Sequence, residues 1–281
     1  MFLLEFTGDA FQLVNDYVED AHKSLSQTVS GKNVDEKSLE IFLSEVEDEV
    51  KFLAIQLAMA RKAKVVERQD VRKALRKLVV ELFRSRRLFS LYHGEILGDV
   101  SVIKEKIEPL ETSRILDAGC GWGRFSRRLC KHLGREAEVV GIDLDVLSLK
   151  YGKSVNRNFS VVRSHMSYLP FKPQVFDVIV CRGALHEIEN KDNRIKALGD
   201  FARALKPNSM LYVYDSFARS RIANVIRGFL HGIFSSMEVY SQTGEFENFL
   251  KSNGFGMIRK SCFVWAFFSS AVFCSYIAVK A

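Results

Sequence analysis

Apolar residues recur at three-to-four spacing through the first ninety positions and in short runs after about position 113, so the chain changes period once along its length. Phe11, Val14, Val18, Ala21 and Leu25 share one face of a predicted helix that Gly31 closes. Asn33, with Glu36 in capping-box position, opens a second and longer helix whose stripe is Leu39, Phe42, Val46, Val50, Leu53 and Leu57, running to about Lys64. A third begins near Asp70 and buries Val71, Leu75, Leu78, Leu82 and Phe83. Beyond it the apolar runs Arg114–Ala118, Glu138–Ile142, Ser160–Val162, Phe176–Cys181 and Met210–Tyr214 alternate with helical stretches. That alternation predicts a doubly wound α/β core with a largely parallel sheet. The expected organisation is an all-α domain over residues 1–90, a linker helix over 91–111 and an α/β domain over 112–281.

One run raises a membrane question, because Ser261–Val279 carries no charge over nearly the length of a bilayer span. Ser269-Ser270 interrupts it midway, and its Val, Phe, Trp and Tyr residues predict two strands of a buried hairpin. Five cysteines with no C-x-x-C pair argue against a disulfide framework and a zinc site, so a reducing, cytoplasmic setting and no metal are expected. Met1-Phe2-Leu3-Leu4-Glu5 has no basic stretch and meets an acid too early for a signal peptide. The net charge of +7 is unevenly placed: residues 1–60 hold 4 basic and 12 acidic side chains, residues 61–90 hold 11 and 3. A surplus of this size attracts anions of any kind and points only weakly to nucleic acid.

The chemistry concentrates in Arg114-Ile115-Leu116-Asp117-Ala118-Gly119-Cys120-Gly121-Trp122-Gly123-Arg124-Phe125. A strand runs into three alternating glycines, and a helix follows with Phe125, Leu129 and Leu133 on one face and Gly134 as its stop. Such a loop lets a ligand approach the backbone and its N–H groups beside a helix N-terminus. A dinucleotide fold would place its third glycine at position 124, which is Arg124. The next strand ends in Asp143, placed to hold a ribose through both hydroxyls, and Asp145 is positioned to cap the following helix.

At these two segments the chain resembles the class I S-adenosylmethionine-dependent methyltransferases, from about residue 112 to the C-terminus. Leu169-Pro170-Phe171, Phe176-Asp177-Val178-Ile179, Leu205-Lys206-Pro207-Asn208-Ser209 and Asn253-Gly254-Phe255 agree with that resemblance. It implies a Rossmann-like, mostly parallel seven-stranded sheet with a reversed last strand. It also implies a methyltransferase using S-adenosylmethionine, with Gly119, Gly121 and Gly123 against the cofactor, Asp117 at its amino acid end and Asp143 on the ribose. Where relatives often carry an acid for the adenine amino group, this chain has Ser164-His165-Met166. Neutral His165 is able to accept that bond or to point to solvent. Met166 and Arg182 complete the expected cofactor-binding set. His186, after the fourth strand, either takes a proton from the nucleophile or lines the pocket, and Asp215 at the end of the fifth strand has the same two readings. Cys120 and Cys181 read as packing residues. The motifs of base-amino, cytosine C5 and protein arginine methyltransferases are absent, so a small-molecule acceptor is expected, with residues 216–245 as its cover.

Residues 54–71 resemble the junction between the second and third helices of archaeal-type histone folds, which implies a homodimer and a route to DNA contact. The match is partial, because the family's Gly-Arg-Lys-Thr loop reads Lys62-Ala63-Lys64-Val65 and so loses the arginine that pairs with the acid at Asp70. A generic helical cap with a solvated basic face is the competing reading. In the alternative function, Arg61, Lys62, Lys64 and Arg68 bring the enzyme or a silent binding module to nucleic acid or a protein partner.

Overall fold

The computed structural model describes residues 4–29, 36–84, 100–105, 113–133, 137–156, 159–188, 190–218, 243–263 and 271–281. The chain forms two compact units, Met1–Gly98 and Asp99–Ala281. The first is helical: α1 (Gly8–Val29), α2 (Glu36–Ala60) and α3 (Arg68–Arg84), with two short strands, β1 (Glu5–Phe6) and β2 (Val65–Val66), paired in parallel. Its core holds Ala10, Val14, Val46, Val50, Ile55, Ala58, Val71 and Ala74. Phe11, predicted to be buried, is instead 46% exposed, with the Lys51 ammonium 5.1 Å from its ring centroid. The buried stripe of α1 runs through Ala10 and Val14, one residue round the helix. The proposed cap at Asn33 and the stop at Gly31 lie outside the described residues.

Asp70 corrects the reading of the histone-like loop. Its carboxylate is 1% exposed and accepts from Arg61 Nε at 2.9 Å and Nη2 at 2.8 Å, and from the Glu67 N–H at 2.9 Å. The arginine is therefore present one residue before the loop where it was sought, and it holds the carboxyl of Asp70 below its ordinary range. Arg61 is thereby engaged within the unit, as is Asp70, and β1 and β2 pair within the same chain.

The second unit is built on a seven-stranded sheet in the order β5-β4-β3-β6-β7-β9-β8. The strands are β3 (Ser113–Ala118), β4 (Ala137–Asp143), β5 (Ser160–Arg163), β6 (Phe176–Arg182), β7 (Leu205–Ala218), β8 (Phe255–Phe263) and β9 (Ala271–Lys280). Helices α4 (Arg124–Leu133), α5 (Val146–Val155), α6 (Lys191–Ala204) and α7 (Thr243–Ser252) accompany it. Residues 100–105 are helical and bury Val100 and Ile103. β3 to β7 pair in parallel, whereas β9 runs antiparallel to both β7 and β8. β6 is buried from Phe176 to Cys181, as a central strand covered on both faces must be.

β7 departs from expectation by beginning at Leu205 rather than Met210. Leu205 pairs with Phe176 and Met210 with Val178, so the expected turn survives as a bulge with Asn208 at φ +59. β7 also continues past β6, because Tyr214 is the last residue paired with it while Asp215–Ala218 pair with β9 alone. β8 has a register shift of its own between Met257 and Arg259.

Of the uncharged run, residues 261–263 end β8 and residues 271–279 lie in β9, an antiparallel pair with Phe263 opposite Phe273; the rest of the first predicted strand, over 264–268, lies outside the described residues, and Ser261 and Cys262 are exposed rather than buried. Among the described residues no helix is long and apolar enough to cross a membrane. The hairpin also overturns the expectation that the cysteines stay unpaired: Cys262 and Cys274 face each other in register and form a disulfide. Cys274 is buried, in a core that includes Phe217, Phe246 and Tyr276, whose ring centroids lie 4.8–5.3 Å apart.

Candidate functional site

The C-terminal ends of β3, β4, β6 and β7 lie side by side, and nearly every predicted site residue falls there or in the loop that follows. β3 ends in the glycine loop. Gly119, at φ +74, is pressed against the loop after β6, since a Cβ built on it would lie 2.3 Å from Ala184 Cβ and 3.5 Å from Met166 Sδ. Gly121, at φ +54, faces open space, with nothing within 4 Å of its Cβ position. Gly123 is backed by the Phe159 ring. One side of the loop is thus packed against protein and the other is clear for a ligand.

The N–H groups of this loop do not serve as expected. Gly119 and Cys120 both donate to Ile142 O at 2.9 Å, Gly121 donates to Asp143 Oδ2 at 2.8 Å, and Gly123 donates to Cys120 O at 2.8 Å. A phosphate cradle needs those donors turned outward. Here three of them hold the loop to β4 and that of Gly123 closes the loop on itself, so its offering to a ligand is close approach to the backbone.

Asp117, just before the loop, is 2% exposed and accepts a hydrogen bond from Ser126 Oγ at the start of α4. Burial pushes its carboxyl up to about 6, against the pull of that hydrogen bond and of the Arg182 charge. The Arg182 guanidinium lies 4.5 Å from the Phe125 ring centroid and 5.1 Å from that of Tyr214. A buried acid and a cation are thereby held beside each other, which complements the ammonium and carboxylate of an α-amino acid.

Asp143 is half-buried, with Oδ1 accepting from the Asp145 N–H at 2.9 Å. Both carboxylate oxygens are oriented by backbone, and each has a second lone pair for a hydroxyl. Asp145 caps α5 as expected, accepting from the N–H groups of Leu147 and Ser148 at 3.0 and 3.1 Å. Leu144 and Val146, which the sequence reading passed over, are 52% and 37% exposed beside Asp143. Apolar residues directly after a strand-end acid were the signal that would have found them, as a flat surface for an aromatic base.

His165 lies in the loop after β5, and its Nδ1 accepts from the Ser167 N–H at 3.1 Å. The neutral ring therefore carries its proton on Nε2 and is a donor on that side. This corrects the expectation that neutral His165 accepts from an adenine amino group: it is able to donate to a ring nitrogen instead. Met166, its neighbour, contacts Cys181 with Sδ 3.9 Å from Sγ. Cys181 and Cys120 are packing residues, their thiols pushed up chiefly by burial.

His186 sits in a single turn of 3-10 helix (Leu185–Glu187) after β6, two residues from the Ala184 that packs on Gly119. Its Nδ1 is 2.5 Å from Oδ1 of Asp215, at the end of β7. The two residues read separately in the sequence are thus a pair. Residues 219–242, most of the predicted substrate cover, lie outside the described residues.

Residues 115–208 match the family described as Methyltransferase domain. An uncharacterized protein of Methanocaldococcus jannaschii is 29% identical over 133 residues, 46% of this chain and 54% of that protein. The ubiquinone/menaquinone biosynthesis C-methyltransferase UbiE of Haemophilus ducreyi is 32% identical over 108 residues, 36% of this chain and 40% of its own length. The chain thus spans about half the length, or less, of these curated relatives. Among solved structures, an S-adenosylmethionine-dependent methyltransferase from Methanosarcina mazei superimposes with a TM-score of 0.51 at 20% identity, covering 60% of this chain and 93% of that one. The geranyl diphosphate C-methyltransferase of Streptomyces coelicolor gives 0.52 at 10% identity, covering 66% and 79%. With its glycine loop at the end of β3, its acid at the end of β4 and a reversed β9, the second unit has the fold of these methyltransferases, and residues 115–208 of it match a methyltransferase domain.

Proposed function

We propose that the protein transfers a methyl group from S-adenosylmethionine to a small-molecule acceptor. The observation that carries this reading is the pairing of a glycine loop whose N–H groups are turned inward with a buried acid, Asp117, beside a cation, Arg182. That arrangement suits a ligand ending in an amino acid and disfavours one ending in phosphates. Asp117 and Arg182 would hold the ammonium and carboxylate, Asp143 the ribose hydroxyls, and Gly121 the close approach, while Leu144, His165 and Met166 would border the base.

When bound, the cofactor supplies a methyl group already activated on a sulfonium. The protein's work is then to align a nucleophile in line with that methyl and to keep water out. The open side of Gly121 and the C-terminal ends of β6 and β7 provide the place for that alignment.

Calorimetry with S-adenosylhomocysteine tests the assignment. Asp143→Ala removes both ribose bonds and is expected to weaken binding at least a hundredfold, since hydrogen bonds to a charged group are worth about 1.5–3 kcal/mol each. Absence of binding to the folded native protein would sink the proposal.

A further inference from the structure

Asp215 is 2% exposed, and the hydrogen bonds around it converge from donors. Oδ2 accepts from the N–H of Leu185 at 2.8 Å and of His186 at 3.3 Å; Oδ1 accepts from the Ser216 N–H at 2.6 Å and faces His186 Nδ1 at 2.5 Å. With backbone donors arranged around it, the carboxylate acts as an acceptor, and the proton of its bond to His186 belongs to Nδ1. The Nε2 atom of the neutral ring then carries the lone pair. The backbone bonds from Leu185 and His186 also fix where the imidazole stands relative to the carboxylate, so orientation and tautomer are set together.

We infer that His186 is the general base of the reaction, that Asp215 is its positioning residue, and that the acceptor is a neutral compound bearing a phenol- or enol-type hydroxyl. This rests on the methyltransferase reading above. The location supports it, because Ala184 in the same loop is packed on Gly119 of the cofactor loop, and β6, after which His186 lies, pairs with β3 on one side and with β7 on the other. The chemistry supports it because a base oriented by a carboxylate has a role only with an acceptor that has a proton to lose. The hydroxyl proton passes to Nε2. The electron pair released on the acceptor forms the bond to the methyl carbon, and the pair of the broken carbon–sulfur bond stays on sulfur. A carboxylate is already ionised near neutral pH and needs no such base, and an alkylamine is protonated there and would approach the sulfonium as a second cation, whereas a hydroxyl arrives uncharged and gives up its proton as it attacks.

Two measurements on the full chain decide the matter. Nitrogen-15 NMR of the histidine rings, with His186 assigned by its loss in His186→Gln, is expected to show the Nδ1–H form in the native protein and a loss of that preference in Asp215→Asn. An Nε2–H ring in the native protein overturns the base assignment. The second measurement presents S-adenosylmethionine with a phenol, a benzylic amine and a benzoate of one size. Transfer to the phenol is expected, with kcat lowered at least a hundredfold in His186→Gln and Asp215→Asn at unchanged S-adenosylhomocysteine affinity. Transfer to the amine or benzoate alone, or to none of the three, overturns the acceptor class. Loss of S-adenosylhomocysteine binding in both variants would mark the pair as structural. If the native protein itself fails to bind S-adenosylhomocysteine, the methyltransferase reading fails, and that result is distinct from a wrong tautomer in a protein that binds.

Discussion

Asp117 carries a carboxyl that burial pushes from an ordinary 3.8 up to about 6. Between those two values the folded protein holds a proton that the unfolded chain has released, so this group's contribution to stability falls as pH rises from about 4 to 6. Two pH units correspond to roughly 3 kcal/mol. Asp117→Asn, which has no proton to lose there, is therefore expected to gain on the native protein by up to that amount between pH 4 and pH 7, as read from urea unfolding at both. The same substitution should weaken S-adenosylhomocysteine binding, and binding to the native protein should fade below about pH 6 as Asp117 loses its charge. The site was legible in the sequence wherever a role follows from local backbone: a glycine loop after a strand and an acid at the end of the next one. His165 was not, because its donor and acceptor sides are decided by a bond to the Ser167 N–H that depends on the loop's path. Nor was the partnership of His186 and Asp215, which are 29 residues apart and meet only because β6 and β7 are neighbours.

At the level of elements, helices and strands were predicted by period, while their ends and pairings were not. The expected stop at Pro207-Asn208 is absorbed by a bulge, so β7 begins five residues earlier than its apolar run. The disulfide depends on the register of β8 against β9, which side-chain alternation alone does not specify. Arg61 shows the limit of comparing loops position by position. Its side chain is long enough to reach Asp70 from the residue after the last turn of α2, two positions before Ala63, where the loop comparison places an arginine. Arg61→Gln strips a buried carboxylate of its bidentate partner and is expected to lower the melting temperature of the helical unit by several degrees, followed by circular dichroism at 222 nm. Arg61→Lys should recover only part of that loss, because an ammonium offers no planar fork.

For the molecule as a whole, the division at Gly98 and Asp99 matters because every residue of the candidate cofactor site, and the His186–Asp215 pair, falls on one side of it. A fragment comprising residues 99–281 is expected to bind S-adenosylhomocysteine within about threefold of the full chain, by calorimetry; a larger loss would assign part of the site to the helical unit. The class of the fold was legible because alternating strands and helices allow few architectures, whereas the meaning of the helical unit depends on partners that one chain does not display. The register shift in β8 has a consequence for assembly. Among the described residues β8 is a boundary strand that pairs with β9 alone, and its outer row of backbone groups is an invitation to a neighbouring molecule's strand. Its dislocation beside the exposed Arg259 and Lys260 breaks that row and charges it, and the opposite boundary, β5, is four residues long and ends in Arg163. The sheet is therefore guarded on both sides against growth into fibrils, and copies of this chain that associate are expected to do so through side chains rather than by extending one another's sheets.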